Sequence, residues 1–190
     1  CISVMAKHYG AHLQVIDCGS VGEAYAYAGV ECHSIMQGTQ NFAKTTAMST
    51  EQCMAAMQLG YQSVEKAMAQ KASIYVAGEM GIGNTCSASA LACLLLNESE
   101  EALTGVGTGI KQEQLIRKKQ VIQQAITLHQ DWAGDDAFKI LCAVGGLEIA
   151  AMVGAYIRCA QRGLAILVDG FISTAAALIA VRLNADVRQW

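Results

Sequence analysis

Residues 78–85 read GEMGIGNT, which fits the phosphate-loop pattern G-x-x-x-x-G-K-[ST] at Gly78, Gly83 and Thr85 and breaks it at Asn84, where the lysine belongs. A triphosphate loop needs that lysine to neutralise the β and γ phosphates, so the substitution argues against ATP or GTP hydrolysis. The dinucleotide fingerprint G-x-G-x-x-G is also absent, because the glycines run G-x-x-G-x-G. What remains is a strand end, a glycine-rich turn with exposed backbone N–H groups, and a helix start. That arrangement suits one phosphate or carboxylate, and it equally suits a tight turn that packs a helix onto a strand.

Glu79 bears on the choice. A carboxylate on the loop's first position would repel a phosphate it faced, so it is better placed against a cationic or proton-bearing part of a ligand. A second glycine loop, GVGTG at 105–109, offers the amides of Gly107 and Gly109 and the Thr108 hydroxyl. Lys118 follows in an RKK run on a polar helix, where a solvated charge is the ordinary reading. A third turn, VDGFIST, carries Asp169, Gly170 and Ser173, and there Asp169 could simply cap a helix. Taken singly each feature is explicable; three glycine-marked strand ends carrying Glu79, Thr108 and Asp169 point together to a site. The four histidines share no metal-ligand spacing, and Trp132 and Trp190 read as packing anchors. Gly145, Gly146, Ala150, Ala151 and Gly154 read as close helix packing.

The elements that must position these residues follow from hydrophobic periodicity. A helix closes at Gly10, 12–19 is a strand running into a loop, and 33–38 is a weaker strand. Residues 39–48 are irregular. Ser49 with Gln52 forms a capping box that opens a helix over 50–70. A buried strand at 72–78 precedes the first glycine loop and a small-residue helix over 85–96. Helices are predicted at about 111–130, after Asp135-Asp136, and at 147–162. The apolar strand 164–170 and a helix over 172–183 complete the pattern. Strands alternating with helices imply a doubly wound α/β fold: a mainly parallel sheet, Rossmann-like and three-layered, with helices on both faces. Fully apolar strands at 74–77 and 165–168 suit the interior of such a sheet. Ligands then bind beyond the carboxyl ends of the strands, where Asp17, Glu79 and Asp169 stand.

Length and composition set the frame. The chain's 190 residues suit one domain, and 53% apolar content supports a sizeable core. A net charge of −3 argues against a nucleic-acid partner. Glu148, Arg158 and Asp169 interrupt the longest apolar runs, which argues against a membrane span. Eight cysteines without a C-x-x-C pair read as reduced, buried thiols of a cytoplasmic protein. The start at Cys1 suggests a fragment, and the absence of proline has no physical account.

GEMGIGNT followed by CSASA, GVGTGI with the RKK helix, AVGGLEIAAMVGAY and LVDGFISTAAALIA together resemble the nicotinate-nucleotide–dimethylbenzimidazole phosphoribosyltransferases, often called CobT. QGTQNF at 37–42 and the helix start at 47–52 resemble them too. The resemblance implies transfer of phosphoribose from nicotinate mononucleotide to 5,6-dimethylbenzimidazole, without metal or cofactor, by a cytoplasmic homodimer. It implies that Glu79 is the carboxylate beside the reacting sugar and that Gly81 contacts the nucleotide through its backbone. Asn84 and Thr85 join the substrate loop. Gly107, Thr108 and Gly109 form the phosphate-side turn, and Lys118 pairs with the phosphate. Asp169, Gly170 and Ser173 form the third loop of the site. Cys86 departs from the threonine common after GNT. The family is longer at both ends, where the benzimidazole pocket, a small helical domain and the general base are expected. Residues 1–190 thus read as one α/β core domain, truncated at both ends. The alternative is a module that binds a mononucleotide or heterocycle without turnover.

Overall fold

The computed structural model describes residues 1–22, 27–107, 109 and 111–190. In chain order these form α1 (Ile2–Tyr9), β1 (Val15–Asp17), β2 (Val30–Cys32), α2 (Thr50–Ala69), β3 (Ile74–Val76) and α3 (Thr85–Leu96). Then come α4 (Glu100–Leu103), α5 (Gln112–Ala133), α6 (Ala137–Val144), α7 (Leu147–Arg162), β4 (Ala165–Leu167), α8 (Phe171–Leu183) and a 3₁₀ turn (Ala185–Gln189). Helix starts follow local chemistry. Ser49 and Gln52 make the reciprocal box that opens α2: Gln52 N–H donates to Ser49 Oγ at 3.2 Å and Ser49 N–H to Gln52 Oε1 at 2.9 Å. Asp136 accepts from the N–H groups of Phe138 and Lys139 at 3.0 and 3.1 Å and opens α6.

The core lies among the helices. Met48, Leu91, Ile122, Ile140, Leu141, Ile149, Val153, Tyr156 and Ile179 are all buried there. Helices α2 and α7 cross at backbone contact. A Cβ on Gly60 would stand 1.7 Å from the Ala151 carbonyl oxygen, and one on Gly154 would stand 2.0 Å from that of Met57. Close packing at Gly154 was legible in its small neighbours; the matching gap at Gly60 was not.

The α/β character and the parallel pairing agree with expectation, but the strands are few and short. β1 pairs with β2 and β3 with β4, in two separate parallel pairs. Nor are the apolar strands covered on both faces. Tyr75 and Ile166 turn toward the helices, whereas Ile74, Val76 and Leu167 on the opposite face are 52%, 54% and 50% exposed. Alternation on a pleated strand sends successive side chains to opposite faces, and the helices described here pack only one of them.

The strand expected at 33–38 lies upstream instead, at Val30–Cys32. Asp17 explains the shift. Its carboxylate accepts from the N–H groups of Gly19 and Ser20, both at 2.9 Å, so the backbone turns away where a ladder would continue. Residues 33–38 still follow this bend, with His33 N–H donating to Asp17 O and Ile35 N–H to Cys18 O, each at 2.9 Å. All eight cysteines are free, and five of them are buried. Among the described residues no helix is long and apolar enough to cross a membrane.

Candidate active site

β3 ends at Val76 and the first glycine loop begins. Glu79 is exposed, yet its Oε2 turns back onto its own loop, accepting from the Gly81 N–H and, at 2.7 Å, from Asn84 Nδ2. Asn84 is only 7% exposed, and its Oδ1 is buried with no hydrogen-bond partner among the described residues. Because the Asn84 side chain serves Glu79, helix α3 has no side-chain cap. Its first-turn N–H groups therefore receive no cap from the Asn84 side chain and remain open to a ligand.

Lys118, the seventh of the 22 residues of α5, arrives at this uncapped end. Expected as either a phosphate partner or a solvated charge, it is 9% exposed. Its ammonium donates to Thr85 Oγ1 and to the Gly105 carbonyl, both at 3.0 Å. Among the described residues it forms no ion pair. Gly107 lies directly above this junction: a Cβ there would stand 3.1 Å from Thr85 Oγ1 and 3.5 Å from Lys118 Nζ. Its φ of 60° is also left-handed, so glycine serves both the turn and the open space over the ammonium. The first and second loops thus meet at Thr85, Gly107 and Lys118. Cys86 stands next to this junction, half-buried; burial pushes its thiol up, and the Lys118 charge works against that shift. Gly109 is exposed, and Thr108 lies outside the described residues.

The third loop follows β4. The register Val76↔Leu167 sets the ends of β3 and β4 side by side, so the first and third loops leave the same edge. Ser173 is 2% exposed and accepts from the Gly170 N–H at 2.9 Å. Its own proton can go to the Gly170 carbonyl at 2.9 Å or to Asp169 Oδ1 at 3.2 Å. Asp169 itself is exposed. No hydrogen bond or ion pair among the described residues joins this loop to Glu79 or Lys118. Asp17, at the end of the separate β1–β2 pair, is occupied by its own turn. Burial raises its carboxyl, but the hydrogen bonds from Gly19 and Ser20 outweigh this and hold it below the usual carboxylate range.

Three polar groups here were not singled out by motif. The Gly105 carbonyl accepts from Lys118. The Thr104 hydroxyl, just before it, is buried without a partner among the described residues. The Tyr156 hydroxyl is buried beneath the third loop, also without a well-formed hydrogen bond. Burial pushes the Tyr156 phenol well above its ordinary range, and the neighbouring Tyr75 and Asp169 push the same way. Tyr156 sits in an apolar stretch that reads simply as core, and Thr104 and the Gly105 carbonyl adjoin the second glycine loop, whose pattern says nothing of which of its polar groups are buried or paired.

A buried ammonium against the positive end of a helix is repulsive unless an anion lies between them. The geometry therefore suits a monoanionic or dianionic group with the size and acceptor oxygens of a phosphate.

The chain resembles proteins of matching chemistry. It is 49% identical over 189 residues to the nicotinate-nucleotide–dimethylbenzimidazole phosphoribosyltransferase of Pseudomonas syringae pv. syringae, covering 100% of this chain and 53% of that protein. Identity is 45% to the enzyme of the same name from Pseudomonas aeruginosa, of which it covers 54%. The crystal structure of CobT from Thermus thermophilus superposes with a TM-score of 0.91 at 35% identity, over 99% of this chain and 56% of that one. The chain thus spans about half the length of the curated relatives it matches. A family profile described as phosphoribosyltransferase matches residues 1–190, and the chain belongs to that family.

Proposed function

We propose that the chain forms the mononucleotide-binding core of an enzyme that transfers phosphoribose from nicotinate mononucleotide to 5,6-dimethylbenzimidazole. The products are α-ribazole phosphate and nicotinate, a step in building the lower ligand of cobalamin. The observation that carries this reading is Lys118, buried and, among the described residues, without a counter-ion at the uncapped start of α3. It supplies the charge missing from Asn84 in the first loop.

The chemistry follows from the donor. Nicotinate joined to ribose through its ring nitrogen is a pyridinium. The bond from C1 breaks with both electrons going to that nitrogen, and nicotinate leaves with a neutral ring. The sugar becomes cationic as the bond lengthens, and a carboxylate such as Glu79 favours that charge. The lone pair of a benzimidazole nitrogen forms the new bond from the opposite face, converting the β linkage to α. A general base takes the proton from the other nitrogen. In this reading Gly81 lines the sugar side, with Asn84 behind the Glu79 carboxylate; Thr85, Gly107, Gly109 and Lys118 line the phosphate side, and Asp169, Gly170 and Ser173 the remaining wall. No cofactor takes part.

A homodimer, in the cytoplasm, is part of this reading, and the exposed face of one helix supports the pairing. Helix α1 has no buried residue, and its Ile2, Val4, Met5 and Tyr9 are exposed, which supports a covering partner such as a second copy.

The test is calorimetric titration with nicotinate mononucleotide and with nicotinate riboside, followed by chromatography of the chain incubated with mononucleotide and dimethylbenzimidazole. We expect phosphate-dependent binding by the chain, and base-dependent nicotinate release by a protein that carries it at the full length of its relatives. Binding without release would favour a module that holds the mononucleotide without turnover. Equal binding of riboside and mononucleotide would remove Lys118 from the phosphate site.

A further inference from the structure

Asn84 makes an interaction that the loop's need for a turn does not explain. Its Nδ2 donates to Glu79 Oε2 at 2.7 Å, while its Oδ1 is buried and unpaired. The amide has no freedom to turn over, because a carbonyl oxygen facing the carboxylate would repel it, so the nitrogen must face Glu79. An unpaired buried acceptor is destabilising. A side chain that served only the turn would cap α3, as asparagine readily does at this position. Asn84 instead leaves α3 uncapped. The cap is given up, and an acceptor is stranded, for one contact: a charge-assisted bond to an exposed carboxylate. Gly81 N–H binds the same oxygen. Oε2 is thereby fixed from two sides, and Oε1 is the oxygen left for a ligand.

Resting on the phosphoribosyl-transfer reading above, we infer that Asn84 is a positioning residue that holds the Glu79 carboxylate toward the cationic sugar, rather than a group that itself touches substrate. The two results of this orientation, an uncapped helix start and an anchored carboxylate, serve opposite ends of one ligand. The uncapped α3 start remains available to the phosphate beside Lys118. The anchored Glu79 meets the ring end. One side chain, turned one way, arranges both.

The test compares two probes that need no turnover. Ribose 5-phosphate is neutral at its ring. A phosphorylated iminoribitol carries a protonated ring nitrogen and resembles the cationic sugar. Calorimetry on the wild-type chain should give a preference of about 10²-fold for the cationic probe, the scale of one such electrostatic contact. Asn84→Leu removes the donor while filling its space, and Asn84→Ala removes both. In each, we expect the preference to fall about tenfold or more, since small misplacements of a reacting group are costly. Ribose 5-phosphate affinity should hold or improve slightly, which also reports that the loop and Lys118 remain folded. A preference unchanged in both variants overturns the positioning role and leaves the transfer reading standing. Loss of ribose 5-phosphate binding in both makes Asn84 a structural residue, which also overturns it. If the wild-type chain binds neither phosphate, the transfer reading fails and takes this inference with it.

Discussion

Lys118 on α5 donates to Thr85 Oγ1 at 3.0 Å across 33 positions of the chain. That contact ties α5 to the start of α3. Its other bond goes to the Gly105 carbonyl, so two neutral oxygens hold a buried cation. Neutral acceptors orient an ammonium but do not offset its charge.

Replacing Lys118 should therefore separate stability from binding. In Lys118→Met the alkyl stem stays and the charge goes. Mononucleotide affinity should fall by about one to two decades, the worth of a hydrogen bond to a charged group. Nicotinate, which has no phosphate, should bind as before. The melting temperature should hold or rise, because the desolvation cost of the cation disappears. A lower melting temperature with unchanged affinity would assign the lysine to the fold.

Gly107→Ala addresses the same junction from above. The added carbon would stand 3.5 Å from Lys118 Nζ, in ordinary contact, but 3.1 Å from Thr85 Oγ1, and at a left-handed φ of 60°. The left-handed conformation costs about 1–2 kcal/mol for an alanine. The methyl also covers the ammonium. We expect weaker mononucleotide binding together with a small drop in melting temperature. Phosphate should fail to protect the variant against thermal unfolding, and full protection would place the anion elsewhere.

Much of this was legible before the structure. Helices α2, α3, α5, α6, α7 and α8 announced themselves through periodicity and caps, because an amphipathic stripe and a polar cap are local. The strands were less so. Ile74 and Val76 read as doubly buried because apolar runs report composition, not coverage, and only one face is packed here. The site divides in the same way. Glycine loops are local and Gly81 and Gly107 stood out; the fate of Lys118 depended on α5 crossing the start of α3, which no spacing encodes. Tyr156 and Thr104 went unremarked because an orphaned hydroxyl is visible only once its surroundings are known.

The α2–α7 crossing offers a test of the fold alone. Gly60→Ala would put its methyl 1.7 Å from the Ala151 carbonyl oxygen, and Gly154→Ala would put one 2.0 Å from that of Met57. Backbone cannot yield as a side-chain tip can, so the helices must separate. Overpacking of this kind costs about 1–3 kcal/mol, occasionally more. We expect each variant to lose at least that upper value in urea denaturation. Less than about 1 kcal/mol would show that the helices slide past each other at little cost.

Glu79→Gln asks whether the carboxylate serves the loop or the reaction. Its Oε2 accepts from Gly81 and from Asn84, so the charge already has work within the loop. The side chain is exposed, and glutamine keeps one acceptor oxygen for the Gly81 N–H. The loss of stability should stay near 1 kcal/mol, which for a chain of this size is about 2–4 °C in melting temperature. The reaction should suffer far more. The ribose gains positive charge only as nicotinate departs, and removal of one preorganised electrostatic contact typically lowers turnover about 10²–10³-fold. Mononucleotide affinity should change little, since the ground-state sugar is neutral. Nicotinate release from mononucleotide in the presence of dimethylbenzimidazole, measured beside the melting curve, decides between the roles. A variant that melts many degrees lower yet releases nicotinate at the normal rate would make Glu79 a brace for the glycine loop. The support for the cationic sugar would then fall to Asp169, the other exposed carboxylate at the edge where β3 and β4 end.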